Sequence, residues 1–267
     1  MSPQPGFEAH VTTLGQGPRP ALALHCTMAF GGAWAGIAKH LRDEVTITAP
    51  DMPSHGQSPD WDETSIFSDT VYAAALAVLP PEPCDVIGHS FGAVVATRLA
   101  AEHPERLRSL TLFEPVFFAV ALEDDPTVLV ETGNAAQLMS DALDRGDRVG
   151  AARAFNRTWS DGPKWDSLPA RTQAALIRAV HVVPGTRHFL HDDPHNLLMP
   201  GRLEALQIPT LILRGSDTTP DISIITAGLA RRFGSATERV IDGAGHMVPI
   251  THPDRVAGAI SALLARS

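Results

Sequence analysis

The sequence predicts an α/β fold with a mostly parallel central sheet, helices on both of its faces, and one helical insertion. Short apolar runs of about five residues alternate with longer stretches whose apolar residues recur every three or four positions. The short runs are continuous rather than alternating, as strands covered on both faces require. Between 116 and 202 this rhythm stops, and it resumes afterwards.

Residues 7–13 read as a first strand, broken by the turn residues Gly15-Gln16-Gly17-Pro18, and 21–25 as a second, compact one. Gly31-Gly32 opens a helical stretch through Trp34, Ile37 and Leu41. Residues 45–49 form the next strand, and 65–79 a helix stopped by Pro80-Pro81. Strand 84–87, helix 92–102 and strand 107–113 follow. From 116 to 202 only amphipathic helical stretches are legible, punctuated by Gly146, Gly162-Pro163, Pro184-Gly185 and Pro194. Strand 208–214, helix 222–233, strand 237–241 and helix 253–265 close the chain. The simplest organisation is one core, 1–115 with 203–267, carrying an insertion at 116–202.

The chain has 267 residues, 44% hydrophobic and 19% charged, enough apolar surface to exclude disorder and build a core without disulfide or metal staples. A net charge of −9 provides no basic field for nucleic acid or an anionic membrane, so small molecules are the expected partners. The first ten residues carry no cationic, then apolar, leader pattern. The longest apolar stretches, 71–79 and 116–122, fall short of the ~18 residues that span a bilayer. Cys26 and Cys84 are the only cysteines and do not form Cys-x-x-Cys, which fits reduced thiols and a cytoplasmic location.

The sharpest chemical signal is Gly88-His89-Ser90-Phe91-Gly92, set between a strand and a helix. A turn this tight tolerates almost no side chain at its flanks and pushes the Ser90 hydroxyl out above the sheet. The positive end of the following helix points at the same spot, where the Phe91 N–H can meet a developing oxyanion. A glycine-rich turn with a bystander serine is the bland alternative, and the strand-to-helix context argues against it.

Three further motifs accompany this elbow: Asp51-Met52-Pro53-Ser54-His55-Gly56-Gln57-Ser58, Ile208-Pro209-Thr210-Leu211-Ile212-Leu213-Arg214-Gly215, and Gly243-Ala244-Gly245-His246. Together, and in their order along the chain, the four motifs resemble the α/β-hydrolase fold superfamily over essentially the whole chain. The similarity is greatest to its capped esterase, lactonase and carbon–carbon hydrolase branch. The motif at 51–58 looks like the Asp-x-Pro-Gly-His-Gly-x-Ser loop that follows the family's fourth strand.

The resemblance implies a Ser–His–acid triad. Ser90 is the nucleophile and His246 its base, since a hydroxyl is nearly unreactive until an imidazole takes its proton. The acid is expected to be Asp217, which lies two residues after Gly215 where many relatives have it three residues after. Glu114, at the end of strand 107–113, is the alternative acid, and Asp221 a third. His25-Cys26-Thr27 stands where the family has His-Gly-x, so the Thr27 N–H is expected to join the Phe91 N–H in an oxyanion hole. Cys26 in place of glycine leaves Met28 open as the donor instead. Cys26 itself reads as a small buried filler. The insertion resembles the family's cap, with Phe117, Phe118, Met139, Phe155, Trp159, Trp165 and Phe189 as its large apolar residues.

His188, His191 and His195, with Asp192 and Asp193, have residue types that bind divalent metals, but a polar loop ending at Pro194 is the better reading. His55 and His89 read as structural. No metal, nucleotide or organic cofactor is implied. The function this predicts is hydrolysis of a small carboxylic ester or lactone through an acyl-enzyme. Thioester or carbon–carbon bond hydrolysis by the same triad, and a ligand-binding signalling protein on a hydrolase scaffold, are the alternatives. A serine at the elbow argues against the dehalogenase and epoxide hydrolase chemistry that uses aspartate there.

Overall fold

A computed structural model describes residues 2–267, and side chains outside 128–135; Met1 of the amino-terminal stretch read above lies outside the described residues. The strands are β1 (Val11–Gly15), β2 (Arg19–Leu24), β3 (Val45–Pro50), β4 (Cys84–His89), β5 (Leu107–Phe113), β6 (Thr210–Gly215) and β7 (Ala236–Ile241). The helices are α1 (Ala35–His40), α2 (Phe67–Val78), α3 (Phe91–Glu102), α4 (Phe118–Asp124), α5 (Leu129–Asp144), α6 (Arg148–Trp159), α7 (Ala170–Ala179), α8 (Val183–Asp192), α9 (Pro220–Arg232), α10 (Val248–Thr251) and α11 (Pro253–Leu264).

The strands form one seven-stranded sheet in the order β1-β3-β2-β4-β5-β6-β7, with β1 antiparallel to β3 and every other pair parallel. The first strand begins later than its apolar pattern suggests, because its register is set by β3: Val11 pairs with Pro50 and Gly15 with Thr46. Phe7 instead belongs to a turn, its N–H donating to the Gln4 carbonyl.

Successive side chains of a strand point to opposite faces. Leu22, Val86, Leu112 and Ile212 enter a core under α2, α3, α4, α8 and α9, while Ala23, Ile87, Phe113 and Leu213 enter one under α1 and α11. Both faces are covered, which is why these strands read as unbroken apolar runs. Truncating one such residue, as in Leu112→Ala, should cost about 2–5 kcal/mol.

Helices α4 to α8 lie between β5 and β6, and that stretch has no strand among the described residues. Within it α5 packs on α6, while α4 and α8 sit against α9 and α2 of the core. Because β2 and β4 to β7 run in one direction, the loops that follow them gather on one edge of the sheet. The segments carrying Ser90, Glu114, Asp217 and His246 follow β4, β5, β6 and β7 in turn.

Candidate active site

Ser90 joins β4 to α3 with φ 56° and ψ −119°, a conformation that L-residues adopt only under constraint. The constraint is steric. A Cβ on Gly92 would lie 2.3 Å from the Leu24 carbonyl oxygen, and one on Gly88 2.5 Å from the Ala93 Cα. Backbone bonds to the sheet hold the turn: the Ser90 N–H donates to the Phe113 carbonyl at 2.8 Å, and the Glu114 N–H to the Leu213 carbonyl at 2.9 Å.

The Ser90 hydroxyl lies 3.0 Å from His246 Nε2, and His246 Nδ1 lies 3.2 Å from Glu114 Oε2. An ionised carboxylate only accepts, so Nδ1–H donates to Glu114 and the Nε2 lone pair faces the serine. Glu114 is fully buried; its Oε1 accepts the Gly215 N–H at 2.6 Å and its Oε2 the Thr218 hydroxyl at 2.5 Å. Behind the imidazole, His89 Nε2–H donates to the His246 carbonyl at 2.8 Å. Burial, and the second imidazole beside it, hold His89 well below the usual histidine range.

The expectation for Asp217 is corrected by this geometry. Its N–H donates to the Ala244 carbonyl at 2.9 Å, and the preceding Ser216 N–H to the Ile241 carbonyl at 3.0 Å. That pairing turns the Asp217 carboxylate outward, where it is exposed and accepts the Ser216 hydroxyl at 2.7 Å. Asp221 lies in the first turn of α9 and accepts the Ile222 N–H. The carboxylate at His246 is Glu114.

Of the two alternatives for the second oxyanion donor, Met28 is otherwise engaged: its N–H donates to His55 Nε2 at 2.8 Å. The Thr27 N–H makes no hydrogen bond among the described residues, and Phe91, as the first residue of α3, has no intrahelical acceptor for its N–H. Two neutral imidazoles frame this loop. His25 donates from Nδ1 to the Cys26 carbonyl at 2.7 Å and accepts the Met52 N–H at Nε2, while His55 donates from Nδ1 to the Pro53 carbonyl at 2.7 Å. Burial pushes both imidazoles down, His55 to about 3, so they stay neutral and keep these tautomers. Burial likewise pushes the Cys26 thiol up to about 12, which leaves it protonated and unreactive.

Ser54 takes φ 65° where the similar motif has glycine. Its hydroxyl oxygen accepts the Trp61 N–H at 3.0 Å and lies 2.8 Å from His181 Nε2, bonds that hold it in this conformation. Arg178 reaches the same loop through the carbonyls of Gly56 and Ser58. The helical segment is thereby clasped to the loop after β3.

A pocket of about 80 Å³ opens above Ser90 and His246, walled by Met28, Phe155, Trp159 and Leu176. The Trp159 ring sits 4.7 Å from the His246 ring, and the Asp161 carboxylate accepts the Met247 N–H at 2.7 Å. Elsewhere, His188 pairs with Asp192 at 2.9 Å, His191 stacks on Phe118, and His195 faces Asp69. No cluster of three or more metal-ligating side chains occurs among the described residues. No described helix is long and apolar enough to cross a membrane.

The sequence model of the Alpha/beta hydrolase family matches residues 21–259. The chain belongs to this family. Curated relatives of this alpha/beta hydrolase include Lipase LipV of Mycobacterium tuberculosis, 30% identical over 97% of this chain and 98% of the relative. Another is the pimeloyl-[acyl-carrier protein] methyl ester esterase of Aeromonas hydrophila, 39% identical over 92% of this chain and 94% of the relative. Among solved structures, an alpha/beta hydrolase from Sphaerobacter thermophilus superposes with a TM-score of 0.71 at 22% identity, covering 98% of each chain.

Two contacts of this alpha/beta hydrolase were not read from its sequence. Thr218 lies three residues after Gly215, so a hydroxyl at that spacing was the available sign that the carboxylate comes from elsewhere. Asp161 gave no sign at all, since it reaches the histidine loop across 86 residues.

Proposed function

We propose that the chain hydrolyses small carboxylic esters or lactones through an acyl-enzyme on Ser90, with His246 as base and Glu114 as acid. The observation that carries this reading is the continuous line from Ser90 Oγ through His246 to Glu114 Oε2, at 3.0 and 3.2 Å. Curated relatives named as a lipase and a methyl ester esterase support ester hydrolysis.

Ser90 Oγ attacks the ester carbonyl carbon while its proton passes to His246 Nε2, and the carbonyl π electrons become an oxyanion. The Phe91 and Thr27 N–H groups donate to that oxygen. Collapse breaks the bond to the alcohol oxygen, which takes the proton from Nε2 and leaves. Water then attacks the acyl carbon, giving its proton to Nε2, and the bond to Ser90 breaks as Nε2 returns a proton to Oγ. The acid leaves with one oxygen from water. Glu114 keeps the imidazole in the productive tautomer and stabilises its charged form. Residues 116–202 act as the cap that closes the pocket, with Phe155 and Trp159 over the reacting atoms.

Ser90→Ala should lower turnover of p-nitrophenyl butanoate by ~10⁴ to 10⁶. A fluorophosphonate should label Ser90 and leave Cys26 untouched. Near wild-type turnover by Ser90→Ala would overturn the mechanism.

A further inference from the structure

The chemistry uses Ser90, His246 and the backbone N–H of Thr27; of the other polar groups around the pocket, the Thr27 hydroxyl and the Trp159 indole stand singly, whereas Asn156 and Ser160 form a pair. Asn156 lies in the last turn of α6 and Ser160, four residues on, is the residue that caps its carboxyl end, with extended backbone. The Ser160 N–H donates to the Asn156 carbonyl, which fixes that turn. The Asn156 amide can make several hydrogen bonds, yet its side chain makes none among the described residues. The Ser160 hydroxyl oxygen accepts the Gly162 N–H at 3.1 Å and keeps its own proton to donate. Asparagine is a poor residue for a helix interior, so helix formation gives no reason for it here. Phe155, Trp159 and Leu176 supply the apolar wall around the pair.

Charge narrows the ligand further. Apart from His246, no titratable acid or base among the described residues lines this pocket except the thiol of Cys26, which stays neutral. A carboxylate, phosphate or ammonium placed here would lose its water with no counter-charge to receive it. A hydroxyl or ketone would exchange water for the Asn156 amide and the Ser160 hydroxyl at little cost. At about 80 Å³ the pocket admits only a few heavy atoms, so the group must lie close to the reacting carbonyl.

We propose that Asn156 and Ser160 form a recognition subsite for an uncharged hydrogen-bonding group, a hydroxyl or ketone, carried by the ester a few atoms from its scissile carbonyl. This rests on the hydrolase reading above and names the substrate class within it.

The test compares p-nitrophenyl 3-hydroxybutanoate and 3-oxobutanoate with the plain butanoate, and 2-hydroxyethyl with propyl butanoate on the alcohol side. Each kcat/KM is divided by the ester's rate with hydroxide, to remove intrinsic reactivity. The wild type should favour the substituted member of at least one pair by about three- to tenfold, the range of one neutral hydrogen bond. Asn156→Leu should bring that ratio to one or below. Asn156→Asp, which keeps an acceptor and loses the amide donor, should retain a hydroxyl preference and weaken a ketone preference, the Ser160 hydroxyl still being able to donate. Thermal unfolding confirms that each variant is folded, and Ser160→Ala provides a second reduction of the ratio if one fails to fold.

Calorimetry of Ser90→Ala with 3-hydroxybutanamide and butanamide reads the same preference without turnover. Turnover with no preference in either assay overturns the subsite and leaves the hydrolase. A preserved amide preference without turnover overturns the hydrolase and leaves the subsite. An unchanged ratio in folded Asn156→Leu also overturns the subsite.

Discussion

Glu114 and His246 stand 132 residues apart in sequence and meet at 3.2 Å, with Glu114 held on the sheet by its own backbone bond to Leu213. The carboxylate that faces His246 thus sits at the end of β5, one strand nearer Ser90 than the loop in which Asp217 lies.

Glu114→Gln should lower kcat by about 10² to 10⁴ with little change in KM, because the imidazole loses both its orienting acceptor and its counter-charge. Asp217→Asn should stay within a few-fold of wild type. Steady-state kinetics on one ester decides between them, and the reverse pattern would return the acid to the loop after β6.

Thr218 donates to the same Glu114 oxygen that faces His246. Thr218→Asp alone should depress activity, since two carboxylates would compete for one small site. Combined with Glu114→Gln it should recover at least about tenfold over Glu114→Gln alone, because a carboxylate returns within reach of Nδ1. A double variant no faster than the single one would show that position 218 lacks that reach.

How much of this was legible depends on the range of the interaction. The elbow was legible because Gly88, Ser90 and Gly92 define one turn, and local sterics decide its shape. The strands were legible because burial on both faces leaves unbroken apolar runs such as 84–87 and 208–214. Asp217 misled because the direction of its side chain is set by backbone pairing between 216–217 and 241–244, which no local pattern carries. The start of β1 misled for the same reason, its register being fixed by β3.

Asp161 ties the helical segment to the histidine loop through the Met247 N–H. Asp161→Ala should reduce kcat several-fold more than it changes KM, whereas Asp161→Asn, which keeps an acceptor, should restore most of the loss. The bond is solvent-exposed, so a modest effect is expected. Equal losses in both variants would assign the role to the charge instead.

Stability should fall on mild acidification. His25, His55 and His89 are buried, neutral and pushed down, His55 to about 3, whereas an unfolded histidine titrates near 6.5. Below pH ~6.5 the unfolded chain therefore binds protons that the folded chain refuses. Their contribution is full above pH ~6.5 and is lost as the pH falls toward the folded values, by up to about 1.4 kcal/mol per pH unit for each histidine. Urea unfolding at pH 7.5, 6.5 and 5.5 measures this, and a free energy that stays level across the series would contradict it.

The backbone amides of Ser90, Glu114, Thr27 and Phe91 divide into two kinds. Those of Ser90 and Glu114 are bonded to neighbouring strands, while those of Thr27 and Phe91 have no acceptor among the described residues. In deuterated water the first two should exchange at the pace of global unfolding, although they flank the candidate site. The second two should exchange early, and should slow together once a boronic acid adduct on Ser90 presents a tetrahedral oxygen. The same few residues would thus give both the slowest and the most ligand-responsive signals in the chain.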